Sequence, residues 1–297
     1  MLKTWKNKIK YKFFSNLYRS RLQTKVSRGE QLLLINEYKK LTHEKRPLPS
    51  FNEIGFQEYS GTDEDGILLF LFSLLGIKNK VLVDIGCATP LGSNSANLIL
   101  NHQWWGALID GGEISINATK SLYSSTPSVR NFPPVATKAF VTAENINSLI
   151  TDTGIEGEID LLSIDIDGID YWIWEAINVI KPRVVVVEYQ PALGPDESLT
   201  VPYKSDFFRD DYPINIDSGE IIYAGASLAA FNKLAKKKGY SLIATNTQEF
   251  NAFFVHDDVN NGILSELPIE NCFQHPRSKF LIKKYFNAAK AMPWDEV

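Results

Sequence analysis

Between Val81 and Val255, short apolar runs alternate with stretches of helical periodicity. Val81-Leu-Val-Asp-Ile85 is a compact apolar run that stops at Gly86, the pattern of a strand buried on both faces. Trp105–Ile109, Ala136–Val141, Ile159–Ile164 and Arg183–Val187 repeat it. The intervening pattern predicts helices over Ser93–Leu100, with Ser93 or Asn94 as cap, and over Ile116–Tyr123, Ala143–Ile150 and Tyr171–Ile180, the last closed by Lys181-Pro182. Ser227–Lys238 reads as a helix with Gly239 as its C-terminal cap. Tyr240–Thr245 and Asn251–Val255 read as strands separated by too few residues for a crossover, so they form a hairpin. Strands alternating with helices imply right-handed crossovers. The expected fold is therefore α/β: a doubly wound, mostly parallel seven-stranded sheet with an antiparallel C-terminal hairpin. Upstream, Ile67–Leu75 is an apolar helix preceded by Asp63-Glu-Asp-Gly66 and ended by Gly76, and residues 1–45 read as helical. A Pro-bearing connector, residues 43–50, divides a basic N-terminal arm (1–50) from the main domain (51–260), and residues 261–297 form a C-terminal extension.

Charge divides the chain in the same place. Residues 1–46 carry 13 basic and three acidic side chains, which leaves 18 basic and 32 acidic for the rest. No acid precedes Glu30, and Leu2, Trp5, Ile9, Phe13 and Leu17 share one face of a helix. Such a segment suits an anionic membrane surface through residues 1–28, a nucleic acid, the acidic body of its own chain, or a second subunit in a homo-oligomer. The acidic body makes nucleic acid the poorest match, and none is expected. The rest of the composition is that of a soluble globular protein, with 44% hydrophobic and 22% charged residues. Two cysteines, Cys87 and Cys272, do not staple a fold, and the expected setting is the cytoplasm or the cytoplasmic face of a membrane. No apolar run approaches the ~20 residues of a spanning helix, and no signal peptide is read at the N-terminus.

In open α/β sheets ligands sit beyond the carboxyl ends of the strands. That rule selects Gly86, Asp110, Asp165, Asp167 and Glu188. Gly86 permits a tight turn and close approach of a ligand. Asp110, 24 residues on, is placed to accept both hydroxyls of a ribose. A dinucleotide pyrophosphate wants bare backbone N–H groups and the three-glycine spacing. Here Cys87-Ala-Thr-Pro-Leu91 follows instead, and Pro90 has no N–H. S-adenosylmethionine carries a sulfonium and no phosphate, so a mixed loop beside carboxylates suits it better. Asp165, Asp167 and Asp170 cluster at the end of the fourth strand and Glu188 ends the fifth. Close carboxylates need a cation or a shared proton, so Asp165, Asp167 and Glu188 are candidate Mg²⁺ or Ca²⁺ ligands. Of four histidines, His256 follows the last strand and is a candidate general base at the site rim.

Several segments together resemble the class I S-adenosylmethionine-dependent methyltransferases, and most of all the FkbM type, often associated with glycan synthesis. These are Gln57-Glu-Tyr-Ser-Gly-Thr-Asp-Glu-Asp-Gly-Ile67, Val83-Asp-Ile-Gly86, Trp105-Gly-Ala-Leu-Ile-Asp110-Gly111, Thr142-Ala-Glu-Asn-Ile146, Asp160-Leu-Leu-Ser-Ile-Asp-Ile-Asp-Gly168, Glu188-Tyr189, Tyr223-Ala-Gly-Ala-Ser-Leu228 and Asn251-Ala-Phe-Phe-Val255. The resemblance runs from about Phe56 to His256; after Gly86, Ala88-Thr-Pro90 replaces the second glycine or Asn frequent in the family. It implies a Rossmann-like methyltransferase fold. It also implies cofactor contacts from Asp84, Gly86, Cys87, Asn94, Asp110, Gly111, Glu144 and Asp165, and acceptor contacts from Tyr223 and Ser227. The activity it implies is O-methylation of a sugar or glycan, with Asp167, Glu188 or His256 as the base. Two other classes share the ribose carboxylate: a nicotinamide-dependent oxidoreductase, and a non-catalytic nucleoside-binding module tethered by its basic arm.

Overall fold

A computed structural model describes residues 26–212 and 223–297. The amphipathic face read through Leu2, Trp5, Ile9, Phe13 and Leu17 lies outside the described residues.

Seven strands form one sheet: β1 (Val81–Ile85), β2 (Trp105–Asp110), β3 (Val135–Lys138), β4 (Gly157–Ile164), β5 (Ile180–Glu188), β7 (Tyr240–Thr245) and β8 (Asn251–His256). Their order is β3-β2-β1-β4-β5-β8-β7, and only β8 runs against its neighbours. This is the doubly wound sheet with a C-terminal hairpin that the alternation predicts. A second, two-stranded sheet pairs β6 (Leu199–Thr200) with β9 (Asp295–Glu296). From β1 the chain winds outward to β3, then returns to lay β4 on the other side of β1. The switch point thus falls between β1 and β4, where the connections leaving the two strands diverge and open a crevice.

Both faces of the sheet are covered, which is why its strands read as continuous apolar runs. On one face lie α1 (Arg28–His43), α3 (Glu64–Leu75), α4 (Ala96–His102) and α5 (Glu113–Ser125), burying Leu82, Leu108, Leu161, Val184 and Val186. On the other lie α6 (Ile146–Thr151), α7 (Asp170–Ala176) and α8 (Leu228–Lys238), burying Val83, Ile109, Leu162 and Val185. Every residue of α3 is buried, consistent with a helix apolar all round. Its Asp65 carboxylate accepts hydrogen bonds from the backbone N–H groups of Glu58, Tyr59 and Ser60, at 2.6–2.9 Å. Gly66 is required here because a Cβ would lie 2.3 Å from the Ile54 carbonyl oxygen.

Of the partners expected for the N-terminal arm, residues 28–43 take the body of their own chain, packing through Tyr38, edge-on to Phe70, and through Gln31, which bonds Asn97. One local expectation changes. Lys181-Pro182 does not close a helix but belongs to β5. Pro182 is tolerated because the β8 ladder begins only at Val184, so its missing N–H breaks no bond on that side.

Candidate functional site

A cavity of about 520 Å³ opens at the switch point, lined by Gly86 and Ala88 after β1, Asp110–Gly112 after β2, Ala139–Val141 after β3, Asp165–Ile169 after β4, and Phe207–Arg209. Its size is within the usual range for small-molecule sites. The floor is the turn at Gly86. There φ is +80°, and a Cβ would lie 1.7 Å from the Asp165 carbonyl oxygen, so only glycine lets the β1 and β4 tips touch. The Asp165 N–H donates to the Ile85 carbonyl at 2.9 Å, locking that contact.

Asp110 is held from both sides. Its Oδ2 accepts from the Ala88 N–H at 2.8 Å and its Oδ1 from the Gly112 N–H at 2.6 Å. The carboxylate is thereby fixed in orientation, with lone pairs left toward the cavity. Beside it Phe140, next to Gly111, offers a half-exposed ring.

Negative charge gathers at the β4 and β5 tips. One oxygen each from Asp165, Asp167 and Glu188 lie within 4.8 Å of one another. Burial, then the charges of Asp167 and Asp170, push the Asp165 carboxyl up to about 8. Burial, and next the Asp165 charge, raise Glu188 well above the carboxylate range. Asp165 and Glu188 lie close enough to interact directly, and each carboxyl resists the charge of the other. Asp167 takes a different partner, an ion pair with Arg209, and sits in left-handed backbone at φ +54°. Asp170 faces away from the cavity and ties the loop down, accepting from Ile166 N–H at 2.8 Å and Gly168 N–H at 2.9 Å.

A hard divalent ion is chemically suited to three such oxygens. Burial disfavours the charged forms of Asp165 and Glu188, and Asp167 is paired with Arg209, so a metal would have to compete with both.

The structure therefore brings together Gly86, Asp110, Gly111, Asp165, Asp167 and Glu188. It sets the other expected residues elsewhere. His256 is corrected outright: β8 is antiparallel, with Asn251 opposite Glu188 and Val255 opposite Val184, so His256 leaves the sheet at the amino ends of the parallel strands. It lines a separate hollow with Lys181, Arg183 and Asp258. Asp84 is buried one layer below the cavity, where its Oδ2 accepts from Ser93 Oγ at 2.8 Å and Ser95 Oγ at 2.6 Å. Asn94 is buried there too, donating to Ser163 Oγ at 3.2 Å. These residues shape the β1 loop from beneath rather than reach a ligand. Cys87 turns into the core on the α3–α4 face, and burial raises its thiol. Glu144 accepts from the Tyr203 hydroxyl outside the cavity lining. Tyr223 donates its hydroxyl to the Pro293 carbonyl at 2.6 Å. Ser227 caps α8, accepting from the Ala230 N–H, and is fully buried. Neither Tyr223 nor Ser227 lines the cavity.

Sequence reasoning misses Phe140, Phe207, Phe208 and Arg209. The last three lie about forty residues beyond Asp167, in a segment with no strand–turn signal, and only the folded chain sets them against the β4 tip.

No family model matches the chain. No curated protein matches its sequence. Among solved structures, the chain is similar to an O-methyltransferase from Bacillus cereus in complex with SAH, at 12% identity and TM-score 0.41, covering 80% of this chain and 94% of that one. It is similar to an S-adenosylmethionine-dependent methyltransferase from Clostridium acetobutylicum, at 12% identity and TM-score 0.39, covering 75% and 97%. A third is magnesium protoporphyrin IX methyltransferase from Synechocystis PCC 6803 with bound SAM, at 9% identity and TM-score 0.38, covering 75% and 83%.

Proposed function

We propose that the chain is an S-adenosylmethionine-dependent methyltransferase that methylates a hydroxyl oxygen of a sugar or glycan. The observation that carries this reading is the cavity at the switch point, where a rigidly held Asp110 and an over-acidic β4–β5 tip flank a glycine turn without phosphate-binding glycines. Asp110 suits the ribose diol, the Phe140 ring suits the adenine face, and Asp165 suits the positive end of the cofactor. The FkbM-type resemblance of the motifs supports a sugar acceptor.

When bound, the cofactor supplies a methyl group already activated by its sulfonium. The protein's part is then positioning and proton removal. Held in line with the S–CH₃ bond at ~3–3.5 Å, an acceptor oxygen gains much of its acceleration from orientation alone. The acceptor's electron pair would form the new C–O bond as the S–C pair returned to sulfur, and the chain's own part would be to take the hydroxyl proton on a carboxylate. Asp167 is the base in this reading, because Arg209 balances its charge while burial favours the neutral forms of Asp165 and Glu188. Phe207 and Phe208 present ring surface on the acceptor side and restrict water.

In a metal-assisted variant the Asp165, Asp167 and Glu188 oxygens would hold Mg²⁺, which would lower the acceptor pKa. The test of the main reading is incubation with methyl-labelled cofactor and neutral sugars or oligosaccharides. Label in a base-stable ether supports it; label in base-labile esters or in amines only would replace the acceptor class.

A further inference from the structure

Another hollow, of about 190 Å³, opens at the amino edge of the parallel strands, away from the switch-point cavity. Gln103, Trp104 and Trp105 line it from the start of β2, and Asn131 and Phe132 from the loop before β3. Trp105 opens β2 and Asp110 ends it, so the length of that strand, roughly 16 Å, separates the two sites. The volume lies below the range for drug-sized ligands and admits a single ring.

Its walls are built rather than incidental. Phe132 is 70% exposed, yet its ring stacks on Trp105, with centroids 5.2 Å apart and planes 22° from parallel. The Trp105 indole N–H donates to the Pro133 carbonyl at 3.0 Å, which ties that ring to the same loop. The loop is itself closed by turns: the Phe132 N–H donates to the Val129 carbonyl at 3.0 Å and the Arg130 N–H to the Thr126 carbonyl at 2.8 Å. An aromatic face is thus held open to solvent without being loose. The exposed side-chain amides of Gln103 and Asn131 have no hydrogen-bond partner among the described residues. Trp104 packs against Phe72, and its indole N–H is buried with no partner, a cost that an oxygen brought to it would remove.

No lining residue carries a charge, so the hollow calls for a neutral ligand. A pyranose presents a face of C–H groups and a rim of hydroxyls. The first suits an aromatic ring, and the second suits amides, which both donate and accept. We propose that this hollow binds a neutral sugar ring, stacked by its C–H face on the Phe132–Trp105 pair with its hydroxyls taken by Gln103 and Asn131. β3 is the edge strand of the sheet, with the Phe132 loop before it and the cavity-lining Phe140 after it. A glycan chain that follows this edge meets both sites. The sugar site itself does not depend on the methyltransferase reading, and its test needs no cofactor and no turnover.

Saturation-transfer NMR of the full chain is run with methyl glucoside, methyl galactoside and methyl mannoside, and with phenol as a flat aromatic control. At least one glycoside gives saturable transfer with the wild type, and the transfer persists in Asp167→Asn. Phe132→Ala and Asn131→Ala, both at exposed positions, lower the affinity about tenfold while the melting temperature holds. Phe132→Tyr, which keeps a ring, binds as the wild type does. No saturable transfer from any glycoside overturns the proposal. So does transfer that is lost in Asp167→Asn and kept in Phe132→Ala, since the sugar would then sit in the switch-point cavity alone. Phenol that binds more tightly than every glycoside and weakens in Phe132→Ala overturns it in favour of a flat aromatic ligand.

Discussion

Replacing Asp165 by Asn removes the carboxyl that burial and its acidic neighbours push up to about 8. The sign follows from linkage. A folded-state pKa raised above the unfolded one gives stability that is fully present below the unfolded pKa and is lost as pH rises through the folded value. For a shift from the ordinary carboxylate range to about 8, the full loss is on the order of 5 kcal/mol. Solvent at the cavity floor and the close coupling to Glu188 cut this to an observable of about 2 kcal/mol, or roughly 4–8 °C in melting temperature for a chain of this size. Asp65 and Asp170, both raised to about 6 by burial, also cost stability as pH rises, but equally in both proteins. The assay is therefore the difference between wild type and Asp165→Asn in melting temperature from about pH 6 to pH 9. Asn keeps an oxygen to accept from protonated Glu188, so the variant folds and its curve is flatter than that of the wild type. Parallel curves, or a wild type that gains on the variant as pH rises, would refute the crowded-carboxylate picture.

Other outcomes are expected. In the proposed reading Asp110→Ala would remove two charge-assisted bonds to a ribose, so S-adenosylmethionine affinity is expected to fall about 100-fold in calorimetry, and the variant no longer to distinguish adenosine from 2′-deoxyadenosine. Gly86→Ala drives a Cβ into the Asp165 carbonyl; it costs about 3 kcal/mol or more and lowers the melting temperature by roughly 6–12 °C. His256→Ala leaves cofactor affinity and turnover unchanged, because its side chain lies at the other edge of the sheet; a tenfold loss would contradict the topology. Methyl transfer persists in EDTA, because burial favours the neutral forms of Asp165 and Glu188 and Arg209 pairs with Asp167; loss restored by Mg²⁺ would favour the metal-assisted variant.

The sheet was legible because parallel strands buried on both faces must be continuous apolar runs, and Gly86, Asp110, Asp165 and Glu188 fall at their ends. The His256 error was avoidable on the same logic. Tyr240–Thr245 follows a crossover helix, so the second strand of the hairpin must run back, carrying its last residue away from the ligand edge. The family resemblance implies cofactor contacts from Asp84 and Asn94, which lie in the loop after β1. Sequence position does not say whether a side chain points up into a crevice or down into a layer of serines, and Ser93, Ser95 and Ser163 decide that only once packed. Tyr223 and Ser227 fail for a related reason, since a hydroxyl near a site is as often a cap or a tether as a contact. Arg209 carried no signal at all; an ion pair between residues in separate loops is a product of the tertiary fold.

The central claim is that the switch-point cavity binds a cationic, phosphate-free nucleoside. Calorimetric titration of the full chain at pH 8 with S-adenosylmethionine, run beside NADH and NADPH, tests it most directly. The account predicts one saturable site for S-adenosylmethionine and no heat from either nicotinamide. Saturable binding of a nicotinamide, or no S-adenosylmethionine binding up to millimolar concentration, would contradict it.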